Sequence, residues 1–391
     1  MEGKKICVTG AGGYIASWLV KLLLSKGYTI NGTVRDPDNE KNDHLKKLDM
    51  ASENLQLFKA DVLSYGELFE AIQGCEGVFH VASPVPGFKR TDMITPALTG
   101  TLNVLKACSE VGIKRVLLVS SSVTILRNSS WPKDRVMDES CWSEEHLLRE
   151  TEVAVATLPP DRLIRCFLLP LLVAVWPLLS LVSLSRDLSP PRLLLAASSF
   201  IATVCRKPAR SIRYICGLCA LSPSLLHWYG LSKTLAERAA WEYSKNTGLN
   251  MVTVCPSMVY GPLLQSTVNA TSLMLLNIVK GTSEPMVDKL WHFVDVRDVA
   301  DALLLVYETA EASGRYICAA HPSYLHEIIT KLKSIYPDYK YQQNFTELGP
   351  EYRLSSEKLK TLGWKARALE ETLVDSVEFF RQAGLLEEVA A

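Results

Sequence analysis

The stretch from Lys5 to Lys26 constrains this chain more than any other. Lys5–Thr9 reads K-I-C-V-T, a short apolar run of strand character. It ends in Gly10-Ala11-Gly12-Gly13-Tyr14-Ile15-Ala16, and from Ser17 to Lys26 apolar residues recur at helical spacing. The order is strand, glycine turn, helix. Gly10 permits a tight turn, Gly12 and Gly13 allow the backbone to approach a pyrophosphate, and Ala16 stands where a third small residue lets helix and strand meet closely. A helix amino terminus presents unpaired N–H groups to such an anion. With this context, a dinucleotide is a better reading than an ordinary turn.

A second strand, Thr29–Val34, ends at Arg35. An acidic residue there accepts a hydrogen bond from the ribose 2′-hydroxyl of NAD, whereas arginine pairs with the 2′-phosphate of NADP. Asp36 follows and mixes the signal, but Lys41 is near enough to assist, so NADP is expected. Strand and helix patterns then alternate over Leu55–Lys59, Tyr65–Ile72, Gly77–Val81, Met93–Val111 and Arg115–Val119. Such a series predicts an α/β fold with a doubly wound parallel sheet, the Rossmann arrangement, whose ligands lie at the carboxyl ends of the strands. Asp61-Val62, Val81-Ala82-Ser83 and Ser120-Ser121-Ser122 occupy three such ends.

Tyr229-Gly230-Leu231-Ser232-Lys233 carries the second chemical signal. A helix is predicted over Thr234–Lys245, and residues four apart share a helix face. Tyr229 and Lys233 can then converge. An ammonium beside a phenol favours the phenolate, which suits a tyrosine to proton transfer with a substrate oxygen. A serine at the end of the fifth strand can hydrogen-bond that same oxygen.

The 42 basic and 42 acidic residues balance, which leaves no nucleic-acid footprint. The amino terminus runs straight into a strand without a leader pattern, and ten cysteines without metal spacing suggest reduced thiols, so a cytoplasmic location is expected. Cys216 and Cys219 form a C-x-x-C that lacks the second pair a zinc site needs, and no metal is expected.

Several segments together resemble the extended short-chain dehydrogenase/reductases, in the plant cinnamoyl-CoA reductase and dihydroflavonol reductase group. They are Val8–Leu24, Gly32–Pro37 (G-T-V-R-D-P), Phe79–Pro84 (F-H-V-A-S-P), Asp138–Ser143 (D-E-S-C-W-S), Trp228–Lys233 (W-Y-G-L-S-K), Pro256–Pro262 (P-S-M-V-Y-G-P) and Phe293–Ala302. The resemblance implies a catalytic Ser121, Tyr229 and Lys233, with Ser122 as the alternative serine. It implies cofactor contacts at Gly10, Gly12, Gly13, Tyr14, Ile15, Arg35, Lys41, Asp61, Val62, Ala82, Tyr229, Lys233, Pro256 and Val259. The implied activity is NADPH-dependent reduction of an aldehyde or ketone. Lys233 lowers the tyrosine pKa and holds the nicotinamide ribose. An NAD-dependent sugar-nucleotide epimerase or dehydratase is the alternative enzyme on the same fold, which Arg35 disfavours. Cinnamoyl-CoA reductases proper carry N-W-Y-C-Y-G-K where this chain has H-W-Y-G-L-S-K, and Leu263–Val279 holds no Lys, Arg or His to meet a CoA moiety.

The resemblance lapses over 153–227, a stretch rich in Leu, Ser, Pro, Arg and Cys. Its run Cys166–Ser185 is uncharged and long enough to suggest a membrane span. A single crossing would put Ser121 and Tyr229 on opposite sides, and Pro170 and Pro177 interrupt a helix, so an insertion foreign to the fold is the preferred reading. A variant that is inactive or membrane-attached because of it is the alternative. The expected organisation is a nucleotide-binding domain of 1–152 and 228–262, the insertion 153–227, and a mainly substrate-binding portion 263–391 from which 293–310 packs back. Leu263–Asp288 and pieces of Tyr316–Tyr352 are expected to line the substrate pocket. Asp295, Arg297 and Asp298 are expected to form structural ion pairs, and His321 and His326 to lie at the surface.

Overall fold

The structure, a computed structural model, describes residues 4–84, 93–149, 223–282, 285–346 and 351–387, with backbone only at 223–227. Most of the stretch 153–227, including the apolar run 166–185 and the Cys216–Cys219 pair, lies outside the described residues.

Short runs of Val, Ile, Leu and Phe form the strands β1 (Lys5–Thr9), β2 (Thr29–Val34), β3 (Leu55–Lys59), β4 (Gly77–His80), β5 (Arg115–Val119) and β6 (Met251–Pro256). Later strands are β7 (Met258–Tyr260), β8 (Met286–Val287), β9 (Trp291–Asp295), β10 (Gly314–Cys318), β11 (His321–Ser323) and β12 (Phe345–Thr346). The longer helices are α1 (Tyr14–Ser25), α2 (Tyr65–Ile72), α3 (Ile94–Val111), α4 (Pro223–Thr247), α5 (Ala270–Lys280), α6 (Val296–Glu308), α7 (Leu325–Ile335) and α8 (Leu369–Gln382).

The central sheet has seven strands in the order β10-β6-β5-β4-β1-β2-β3, and every neighbouring pair is parallel. Strands β4, β5 and β6 are buried at every position, as expected for a sheet covered by helices on both faces. One face packs on α1 and α6, through Leu19, Val20 and Leu23 against Val299, Leu303 and Val306. The other packs on α2, α3 and α4, through Leu68, Ile72, Val104, Leu105 and Ala240. Burying each such side chain contributes on the order of 1.5–3 kcal/mol. The chain leaves β1 toward β2 on one side and returns to β4 on the other. This reversal opens a crevice outside the carboxyl ends of β1 and β4.

Two helix starts differ from the sequence reading by more than one residue, and one strand is placed differently. Helix α1 starts at Tyr14 rather than Ser17. Helix α4 starts at Pro223 rather than Thr234, so its first residues fall inside the stretch read as foreign. Strand β10 lies in the central sheet, paired with β6, so Tyr316 is a buried sheet residue opposite Val254 and not a pocket-lining one.

The expected ion pairs are present and hold the carboxyl-terminal helix. Arg297 donates to both Asp295 oxygens, at 2.9 and 2.8 Å, and also meets Asp375 on α8 at 2.7 Å. Asp298 accepts from Arg367 through both its backbone and its guanidinium. His326 pairs with Asp288 at 2.6 Å, and the His321 ring meets the Arg367 carbonyl. Among the described residues no helix is long and apolar enough to cross a membrane, and no His, Cys, Asp and Glu side chains group as a metal site.

Candidate active site

The glycine turn sits at the crevice. Gly10 has φ +66°, and a Cβ there would stand 3.0 Å from Ala82 at the end of β4. A Cβ at Gly12 would stand 2.4 Å from the Asn42 amide oxygen. Gly13 is the N-cap of α1, with no capping side chain and no acidic residue in the first turn. The backbone N–H groups of Tyr14 and Ile15 therefore begin the helix uncovered by a side chain, and the positive end of the helix dipole faces the crevice. A cradle closed to any Cβ and open to an anion fits the pyrophosphate of a dinucleotide. The Tyr14 side chain takes no part in it: it is buried, and its hydroxyl donates to the Gly261 carbonyl at 2.9 Å. Trp18 likewise donates to Pro262 at 2.9 Å, which fastens α1 to the segment after β7.

The remaining residues expected at the cofactor lie on several elements, with Ala82 beside Gly10. Arg35 and Lys41 are both exposed, on the loop that follows β2. That loop is held by Asn42, which donates from its side chain to the Asp36 carbonyl at 2.7 Å. Asp61 turns its carboxylate back to the Leu63 N–H, and Val62 accepts from Asn103 through its carbonyl. Val62, Ala82, Ser83, Thr101, Lys233 and Glu237 line one continuous cavity. Pro256 ends β6, and the buried Val259 lies in the small sheet β11-β9-β7.

Strand β5 delivers the three serines to different places. Ser120 is buried and donates to Glu237 at 2.5 Å. Ser122 is buried in a short 3₁₀ turn. Ser121, half-buried with extended backbone, caps that turn, and its side chain is near enough to the Tyr229 phenol to pull the phenol's pKa down. Tyr229 and Lys233 lie one turn apart on α4, as their spacing predicts. Their electrostatics differ from the prediction. Burial holds the Tyr229 phenol above its ordinary pKa, and the opposing downward pull comes from Ser121, not Lys233. The Lys233 ammonium is buried and donates to the Val119 carbonyl at 2.9 Å. Burial lowers its own pKa to about 8, with Glu237 pulling the other way.

Two buried polar groups beneath the site escaped the sequence reading. Glu237, 1% exposed, sits one turn beyond Lys233 and accepts from Arg315 Nε at 2.7 Å as well as from Ser120. Arg315, on β10, spends its other donors on the Glu139 and Cys141 carbonyls and the Thr124 hydroxyl, with its guanidinium over the Trp142 ring. Removing one partner from such a pair costs about 3–5 kcal/mol. The position of Glu237, four after Lys233, was the available signal, but a glutamate next to Arg238 on an amphipathic helix reads as solvated. The second group is His80. Thr9 Oγ1 accepts from the N–H groups of Val81 and Ala82, so its one proton goes to His80 Nδ1 at 2.8 Å. The histidine proton is then on Nε2, facing Thr101 at 3.2 Å. Burial, with Lys233 nearby, pushes the His80 pKa down to about 3 and keeps the ring neutral.

The family described as NAD dependent epimerase/dehydratase matches residues 6–139 and 179–319. The chain belongs to that family. Within it, this is an extended short-chain dehydrogenase/reductase of the cinnamoyl-CoA reductase-like group. It is 34% identical to cinnamoyl-CoA reductase 1 of Petunia hybrida over 390 residues, covering 99% of this chain and 95% of that protein. It is also 34% identical to tetraketide alpha-pyrone reductase 1 of Arabidopsis thaliana, covering 98% of each. Among solved structures, vestitone reductase from alfalfa superposes with a TM-score of 0.69 at 25% identity, over 98% of this chain and 99% of that one. This family member is an oxidoreductase, and the cofactor its cradle accommodates is a nicotinamide dinucleotide.

Proposed function

We propose that the protein is an NADPH-dependent reductase of an aldehyde or ketone on a small molecule. The observation that carries this reading is the placement of Tyr229 and Lys233 one turn apart on α4, with Lys233 donating to Val119 at the end of β5 and Ser121, two residues further on, lowering the pKa of the Tyr229 phenol. The reductases among its relatives support it. The glycine cradle would hold the pyrophosphate, and Arg35 with Lys41 the 2′-phosphate. The dinucleotide, when bound, supplies the hydride.

The chain's own residues handle the oxygen. Ser121 donates a hydrogen bond to the carbonyl oxygen and orients it. Tyr229, kept protonated by burial, is the acid: its proton goes to that oxygen as negative charge develops there. The Lys233 ammonium, fixed on the Val119 carbonyl, offers its remaining protons toward the cavity it shares with Ala82 and Ser83. From there it would hold the ribose of the bound dinucleotide by hydrogen bond.

The purified full chain is assayed for NADPH-dependent reduction of a panel of phenolic and aliphatic aldehydes and ketones. Tyr229→Phe is expected to lower kcat by about 100-fold or more, with NADPH affinity close to that of the wild type by calorimetry. Substantial turnover by this variant would falsify the assignment.

A further inference from the structure

Glu237 is the charged group beneath the site that the proposed chemistry leaves unused. A carboxylate this deeply buried is costly unless fully partnered. Its partners are specific: Ser120 on one oxygen at 2.5 Å and Arg315 on the other at 2.7 Å. The same helix already joins the same strand through Lys233 and the Val119 carbonyl at 2.9 Å. Two consecutive residues at the end of β5, Val119 and Ser120, are thus tied to two side chains one turn apart on α4. The next residue along is Ser121.

We infer that Glu237 is a positioning residue: its carboxylate locks the Ser121-bearing strand end against the helix of Tyr229 and Lys233, and keeps that lysine in its cationic form. The inference rests on the triad reading above and extends it.

The charge around Lys233 supports the second half. Glu237 faces it from its own helix, His80 from β4, Cys255 from β6, and Arg315 from β10 beyond Glu237. His80 is neutral. Burial raises the Cys255 thiol to about 12, so it too is neutral. Of these groups Glu237 alone is an anion. Burial lowers the lysine pKa, and Glu237 opposes that fall. Without the carboxylate, the lysine loses its proton at a lower pH. Arg315, bound on four sides, holds the carboxylate in place.

The test is the pH profile of carbonyl reduction. Glu237→Gln keeps the shape and an oxygen for Ser120 but removes the charge. The alkaline limb of kcat is expected to move down by about one pH unit. On the acid side, kcat should stay near the wild-type value, with carbonyl KM unchanged. Glu237→Asp, which restores the charge, should return the limb toward its original position. If Glu237→Gln leaves Arg315 too exposed to fold, the double variant Glu237→Gln/Arg315→Met removes both charges. The limb should move the same way by less, because the carboxylate is the nearer of the two. Limbs that coincide with the wild type overturn the inference. So does a uniform loss of kcat at every pH with a lowered unfolding temperature, since that marks a structural role alone. Tyr229→Phe is measured alongside: an active Tyr229→Phe sinks the triad reading, whereas an inactive one with an unmoved Glu237→Gln limb sinks only this inference.

Discussion

Ser120, Ser121 and Ser122 share one strand end but have different surroundings. Sequence spacing alone does not separate them, because each can end a strand with its hydroxyl at the sheet's edge. Family resemblance favoured the second. The backbone supplies the reason: Ser121 stays extended at φ −161° while Ser122 opens a 3₁₀ turn and is carried inward. Ser120 is claimed by Glu237. Alanine at each position separates the roles. Ser121→Ala is expected to lower kcat by about 10- to 100-fold with little change in unfolding temperature. Ser120→Ala leaves a buried carboxylate short of a partner and should destabilise the fold by about 1–3 kcal/mol. Ser122→Ala should stay close to wild type in activity. Steady-state kinetics and thermal unfolding on the three proteins decide it. A Ser122→Ala enzyme crippled more than Ser121→Ala would reassign the serine. The charge state of Tyr229 was not readable from spacing, because a one-turn separation says which residues neighbour and not where their tips point. Lys233 points at the strand, and Ser121 takes its place beside the phenol.

Elements encoded by local patterns were read to within a few residues. β1, β2, β3, β5 and α2 fall on the ranges their apolar runs define. The start of α4 was misplaced, since Gly230 and Ser232 lower local helix propensity and its packing on α3 overrides it. β10 was missed as a sheet strand because β7, α5, β8, β9 and α6 intervene between it and its neighbour β6. The loop after β2 shows the same division of labour. Arg35 was visible from its place after the strand, but Asn42, which braces the loop from beneath Gly12, was not. Arg35 is exposed and has no side-chain hydrogen bond or ion pair among the described residues, so its replacement tests cofactor choice. Arg35→Ala is expected to weaken NADPH binding by roughly 1–3 kcal/mol, since a charge-assisted contact is lost. NADH binding should be nearly unchanged, because NADH has no 2′-phosphate. Calorimetric titration with both dinucleotides reads this directly, and equal wild-type affinity for the two would remove the basis for NADPH.

At the scale of the whole molecule, the sheet draws its strands from residues 5–119 and 251–318, and the candidate site takes its serine and its tyrosine from either side of the stretch 153–227. The two flanks of that stretch meet. Leu148, buried just before it, lies against Gly230, just after it, so close that a Cβ on the glycine would stand 3.1 Å from the leucine. A short link can therefore connect residues 145–149 to α4. Shortening a connection also gains closure entropy, on the order of 1 kcal/mol or two for a loop of this size. The family match resumes at residue 179, ahead of the boundary read from the motifs, and α4 itself begins at Pro223. A deletion of 153–222 keeps the start of α4, although it also removes 179–222, which the family match includes. We propose that this shortened chain folds, with a yield of soluble protein at least equal to that of the full chain. It should retain NADPH-dependent carbonyl reduction, because Ser121, Tyr229, Lys233 and Glu237 all lie outside the excised residues. Both chains are expressed in parallel and compared for soluble yield, unfolding temperature and kcat/KM. If the shortened chain fails to fold while the full chain turns over, residues 153–222 are a working part of the enzyme. The link that Leu148 and Gly230 invite is then not sufficient to hold the two halves of the site together.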